Sequence, residues 1–114
     1  MKEQLITFET AKLAKEKGFV IEPVLSTMYY ASNGELCDSY YDFDDFSLAP
    51  TQSLLQKWLR EEHNIHITIT SISQESWQYH ITKPVQRLGD NYEEDFYTYE
   101  EALESGLHQA LKLI

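Results

Sequence analysis

Three aspartates, Asp42, Asp44 and Asp45, lie close enough in sequence to suggest a divalent-cation loop. An EF-hand counted from Asp42 needs a glycine at its sixth position and a glutamate at its twelfth. Ser47 and Ser53 stand there instead. His66 and His80 fall on the polar side of two alternating segments, but two imidazoles make an incomplete zinc site and no cysteine stands near them in sequence. Cys37 is the single cysteine, so it has no internal disulfide partner, and it carries no nucleophile signature. The adjacent pairs Glu61-Glu62 and Glu93-Glu94 supply no spacing for acid–base work. With four glycines, at 18, 34, 89 and 106, the chain has no loop to cradle phosphates and no dinucleotide fingerprint. The residues therefore nominate no catalytic group, no metal site and no cofactor. A small metal-dependent enzyme using Asp42, Asp44 or His66 and His80 is the enzymatic alternative, and metal in the purified protein would distinguish it.

Binding is the chemistry left to the composition, although a modest net negative charge commonly serves solubility alone. Nineteen acids against nine bases give a net charge of −10. The excess lies in two stretches without Lys or Arg. Residues 18–56 hold Glu22, Glu35, Asp38, Asp42, Asp44 and Asp45; residues 88–111 hold Asp90, Glu93, Glu94, Asp95, Glu100, Glu101 and Glu104. Phosphate backbones and anionic membrane surfaces need clustered cations, so direct nucleic-acid or membrane binding is disfavoured. A basic protein partner is attracted. Seven of the eight tyrosines, at 29, 30, 40, 41, 92, 97 and 99, cluster around the acidic stretches. Tyrosine suits interfaces because its ring packs while its hydroxyl bonds, although it is also a common strand former. The partner-binding candidates are Tyr40, Tyr41, Asp42, Asp44, Asp45, Glu93, Glu94 and Asp95.

The elements that must position these groups are legible in part. Residues 7–17 predict a short, thinly amphipathic helix with Thr7 as N-cap and Gly18 as terminator. Residues 19–25 are extended, with Pro23 confining them to an edge or loop. Asn33-Gly34 predicts a two-residue type I′ turn between strands near 27–32 and 35–41, which sets Ser32 opposite Glu35, Tyr30 opposite Cys37 and Met28 opposite Ser39. Residues 42–49 read as an acidic-aromatic loop. Pro50 and Thr51 open a helix that runs to about His63, with Leu54, Leu55, Trp58 and Leu59 on one stripe and Asn64 as its left-handed end.

Residues 65–71 and 77–82 alternate strictly, with Ile65, Ile67 and Ile69 on one face of the first and Trp77, Tyr79 and Ile81 on one face of the second. If both apolar sets share a face, the loop has an odd number of residues, most simply Ser73-Gln74-Glu75, or contains a bulge. A plain two-residue loop at Gln74-Glu75 would set Ile69 opposite His80. Lys83 to Glu94 reads as loop, and Asp95-Phe96-Tyr97 as the end of a further strand. Thr98 and Glu101 form a capping box for a helix from about Tyr99 to Lys112. Leu103, Leu107, Ala110 and Leu111 form its buried stripe, and Gly106 sits inside it, either permitting close contact with a neighbouring element or simply tolerated.

The chain contains no apolar run of membrane-spanning length, and its N-terminal residues do not read as a secretory signal. Its 114 residues suit one domain, which should bury roughly two-thirds of the surface its unfolded form exposes. The expected class is α+β: one antiparallel sheet of about four or five strands, built from the 27–41 and 65–82 hairpins and covered on one face by the helices at 51–63 and 99–112. The short N-terminal helix is expected to pack at one end.

Three segments, TFETAKLAKEKGF (7–19), PTQSLLQKWLREEHNI (50–65) and TYEEALESGLHQALKLI (98–114), carry a resemblance. The chain resembles a family of small uncharacterised phage- or prophage-associated proteins of gut anaerobic bacteria. The resemblance covers about 40% of the chain and lies in helices, so it implies a mobile-element origin and the bacterial cytoplasm but carries over no activity, cofactor or site residue. Together with the charge it favours a non-enzymatic accessory protein that binds another protein through an acidic, Tyr-rich surface, in a sharper version as a nucleic-acid mimic. A self-assembling structural protein is the remaining alternative.

Overall fold

A computed structural model describes residues 4–19, 28–31, 33–37, 46–83, 86–90 and 95–114. The architecture is α+β. In chain order the elements are α1 (Phe8–Glu16), β1 (Tyr29–Ala31), β2 (Leu36–Cys37), β3 (Phe46–Leu48), α2 (Gln52–His63), β4 (His66–Ser73), β5 (Ser76–Lys83), β6 (Gln86–Asp90) and α3 (Tyr99–Lys112). The expected single sheet of four or five strands is replaced by two separate antiparallel sheets, ordered β2-β1-β3 and β4-β5-β6. The additional strands arise where the sequence reads as loop. Gln86–Asp90, expected as loop, pairs with β5, and Phe46–Leu48, at the end of the expected acidic loop, pairs with β1. Backbone hydrogen bonding is indifferent to side-chain polarity, so an edge strand need not alternate.

The helices begin and end as their capping residues dictate. The hydroxyls of Thr7, Thr51 and Thr98 accept from the amides of Thr10, Leu54 and Glu101. Asn64 ends α2 in the left-handed conformation. Pro50 and Thr51 stand just outside α2 rather than in its first turn. Thr51 is the N-cap, and the carbonyl of the fully buried Pro50 accepts from the amide of Ile6 at 3.0 Å. Gln52 in turn donates its amide to the carbonyl of Gln4 at 2.9 Å. The chain just ahead of α1 is thereby stapled to the start of α2.

Packing follows from these elements. α3 lies across β4 and β5, α2 packs on α3 and β4, and α1 packs on α3 and β3. The core joins Ile6, Ala11 and Ala14 to Leu55 and Leu59, to Ile65, Ile67, Tyr79 and Ile81, and to Leu103, Leu107, Ala110 and Leu111. The α3 stripe is therefore buried as its periodicity predicts. On α2 the buried apolar residues are Leu55 and Leu59, while Leu54 and Trp58 are only half-buried. Helix and sheet approach closely at Gly106. A methyl group there would stand 3.1 Å from Ile67 Cγ2 and 3.2 Å from Tyr79 Cβ.

The large hairpin takes the bulged form of the two expected, and the small one departs from its expected register. In the large one Ile69 pairs with Tyr79 and Ile67 with Ile81, so the apolar sets do share a face. The turn is the two-residue Gln74-Glu75, and a register shift between Ser71 and Ser73 restores the parity that this turn alone would have broken. In the small one Tyr30 pairs with Leu36 and Tyr29 with Cys37, one residue off the expected register. Gly34 donates its amide to the Ala31 carbonyl, and the amide of Ala31 bonds the carbonyl of Glu35, so Ala31 and Glu35 close the turn. Gly34 has φ +89°, but Asn33 does not share its positive φ, whereas a type I′ turn needs both. The Asn33 side chain instead accepts from the amide of Glu35 at 2.9 Å. The pairings of Met28 with Ser39 and of Ser32 with Glu35 each involve a residue, Ser39 or Ser32, outside those described.

Candidate interaction surface

Asp95 is the one predicted binding residue among the described residues. Tyr40, Tyr41, Asp42, Asp44, Asp45, Glu93 and Glu94 lie outside them. Within the two acidic stretches, the described residues on either side of these sit in different places. Cys37 and Phe46 belong to the small sheet, whereas Asp90 and Phe96 are bonded to β5 of the large one.

The second flank is built from the β5 backbone outward. Trp77 and Phe96 exchange two backbone hydrogen bonds, at 2.8 and 2.9 Å. Asp95-Phe96-Tyr97 thus meets β5 through a single residue bridge, where the sequence suggests a strand end. Alternation then sorts the side chains. Phe96 is half-buried against Tyr79, with ring centroids 6.2 Å apart. Its two neighbours are exposed, and Tyr97 presents 75% of its surface to solvent. The carboxylate of Asp95 accepts from Gln78 Nε2 at 2.8 Å. That bond, followed by one from Ser76, lowers its pKa below the usual aspartate value. Two residues on, Thr98 caps α3, and Tyr99 in the first turn sets its ring edge-to-face with Trp77 at 5.8 Å while staying 41% exposed. Glu101, in the same turn, is exposed. The arrangement presents two tyrosines and two carboxylates around two backbone anchors, the β5 bridge at Phe96 and the α3 cap at Thr98. It can receive a cation or an amide beside an aromatic ring.

A second polar cluster, not foreseen from the sequence, centres on Glu104. One carboxylate oxygen accepts from the amide of Thr7 at 3.1 Å and from its hydroxyl at 3.0 Å. The other accepts from Nε2 of Gln52 at 3.1 Å, and that same nitrogen donates to the Glu100 carbonyl at 2.9 Å. Gln52 is 4% exposed, so these bonds satisfy a group that would otherwise be costly to bury. His108, one turn along α3, stands 3.5 Å from the hydroxyl of Thr10. The carboxylate also sits at the N-terminus of α1, where the helix dipole favours it. Nearby, Tyr30 donates its hydroxyl to the Ile6 carbonyl at 2.7 Å, and burial, with the Glu104 charge second, raises its pKa. With both oxygens of Glu104 engaged, the cluster is a three-helix stitch rather than a waiting base. Its one trace in the sequence is the i, i+4 placement of Glu104 and His108, which repeats the spacing of an ordinary solvated helix face.

The histidines named above sit in the large hairpin. His66 pairs with Thr82 and His80 with Thr68, which makes the two imidazoles diagonal neighbours. Among the described residues no group of three or more His, Cys, Asp and Glu is placed to hold a metal ion. No helix among them is long and apolar enough to cross a membrane. Neither known protein-family models, nor curated proteins, nor solved structures match this chain.

Proposed function

We propose that this chain is a non-enzymatic binding protein whose acidic, Tyr-rich surface docks onto a basic protein partner. The observation that carries the reading is exposed Tyr97 held between the Phe96 bridge and the Thr98 cap, with exposed Asp95 and Tyr99 next to those two anchors. A rigid aromatic anchor loses little entropy on binding, and carboxylates beside it steer a cationic partner. The charge distribution supports the same reading, since both base-free stretches would repel phosphates and attract Lys and Arg. In the sharper form the partner is a host DNA-binding protein and the carboxylates stand in for phosphates. The resemblance of the helical segments to phage- and prophage-associated proteins supports an accessory role in the cytoplasm of a bacterial host.

The test is affinity capture from nuclease-treated bacterial lysate at low and moderate salt, followed by reconstitution with the purified partner. A stoichiometric basic protein is expected. Its affinity should fall as salt rises, fall at least tenfold with Tyr97→Ala, and fall again when Asp42, Asp44, Asp45 and Asp95 become Asn. A specific partner indifferent to salt and to all of these changes, or no specific partner at either salt, would overturn the proposal.

A further inference from the structure

The strand edges of this molecule are not equally protected. An unpaired edge is a template for another chain, and proteins blunt such edges by keeping them short or by charging them. β2 and β3 have two and three residues. β6 carries Arg87 and Asp90. β4 has eight residues, HITITSIS, and no Lys, Arg, Asp or Glu occurs anywhere from Asn64 to Gln74. It lies at the outside of the β4-β5-β6 sheet, and among the described residues no strand pairs with its outer side.

Two hydrogen bonds reveal which β4 groups face outward. Trp77 of β5 bonds Phe96 on the side away from β4, so the even-numbered residues of β5 are those bonded to β4. Their partners are His66, Thr68 and Thr70, which leaves the backbone groups of Ile67, Ile69 and Ser71 pointing out. Independently, the Ile67 carbonyl accepts from the Gln56 side chain of α2 at 2.9 Å, which requires it to face away from β5. Gln56 caps one end of the edge and the register shift after Ser71 closes the other. The open template lies between them and is centred on Ile69.

We infer that this edge pairs with the same edge of a second copy, antiparallel about a two-fold axis at Ile69, to form a continuous six-stranded sheet. In that register Ile69 meets Ile69, Thr68 meets Thr70, and Ile67 meets Ser71. The Ile pair falls on the core side and the Thr pairs on the opposite face, both favourable cross-strand combinations. Ile67 still has a second carbonyl lone pair beside its bond from Gln56. Ile72, 56% exposed, comes to lie at the level of the second copy's His66. Charge argues for this approach. Two molecules of −10 repel over most of their surface, and β4 brings them together without setting like charges opposite one another. The inference is independent of the acidic surface described above.

Sedimentation equilibrium from micromolar to millimolar protein should show the mass rising from 13.4 kDa toward twice that value. Over the same range, hydrogen exchange at the Ile69 and Ser71 amides should slow, at least tenfold more than at Thr68 and Thr70, whose amides are already bonded to β5. The double variants Thr68→Lys/Thr70→Lys and Thr68→Glu/Thr70→Glu should each stay monomeric and should pair when mixed. If these do not fold, Ser71→Pro, which removes an outward N–H and the exposed Ser71 Oγ bond to the Ser73 carbonyl but no bond to β5, is expected to give a folded monomer. A wild-type chain monomeric throughout would overturn the proposal. So would a dimer whose Ile69 and Ser71 amides exchange at unchanged rates, or one that persists in both charge variants.

Discussion

The two hairpins make opposite use of turn chemistry. The small one contains Asn33-Gly34, the strongest short-range turn signal in the chain, yet it pairs one residue away from the register which that dipeptide favours. The large one turns through Gln74-Glu75, a pair with no special turn preference, yet it holds the register that its side-chain alternation demands. The difference lies in what a slip would cost. In the large hairpin a one-residue slip would move one strand's apolar set, either Ile67 and Ile69 or Tyr79 and Ile81, away from α3, so the sheet accepts a bulge instead. In the small hairpin Gly34 packs against the Phe8 ring and Tyr30 bonds the Ile6 carbonyl, so contacts with the α1 end choose the register.

The largest expected effect that would sharpen this contrast is at Gly106. Replacing it with Ala improves helix propensity by about 1 kcal/mol but drives a methyl group into Ile67 and Tyr79. A net destabilisation of about 2 kcal/mol is expected from overpacking, read from the urea midpoint. A more stable Gly106→Ala protein would mean that α3 does not fix the large hairpin.

Turn substitutions should then behave differently in the two places. Gly34→Ala meets a positive φ and a ring carbon of Phe8 3.1 Å away, and should cost about 1 kcal/mol. Converting Gln74-Glu75 to Asn-Gly should change stability by less than about 0.5 kcal/mol and leave the Ile69–Tyr79 pairing intact in cross-strand NOEs. Finding Ile69 opposite His80 would break the comparison, because the turn would then dominate the faces.

The smallest effect concerns Asp95. Its pKa is depressed when folded, chiefly by the Gln78 bond and then by Ser76. The ionised form therefore stabilises the fold at pH above the ordinary aspartate value, and this contribution is lost as pH falls through the lower folded value. Asp95→Asn should flatten that acid limb slightly in a plot of Tm against pH, with no change in slope near neutrality. An acid limb of unchanged steepness would show that the Gln78–Asp95 contact does not persist in solution.

Legibility in the sequence followed the range of the interaction. Thr7, Thr51 and Thr98 cap their helices through atoms three residues away, and Asn64 and Gly34 adopt positive φ locally, so each could be read from its neighbours. β6 and β3 could not be read, because strands of mixed polarity owe their existence to a partner elsewhere in the chain. The Tyr97–Tyr99–Asp95 surface was half legible. Its residue types were apparent, but its backbone is fixed by Trp77, some twenty residues upstream.

The sequence by itself determined the α+β class, the helix limits to within a residue or so, the α3 stripe and the placement of negative charge. These depend on 3.6- and 2-residue periodicity and on capping groups adjacent in the chain. The tertiary structure decided the division into two sheets, the register of the small hairpin and the engagement of Glu104 with Thr7 and Gln52. Each of these joins residues far apart in the chain, and whether such contacts form depends on which burial and hydrogen-bonding solution satisfies the whole molecule at once.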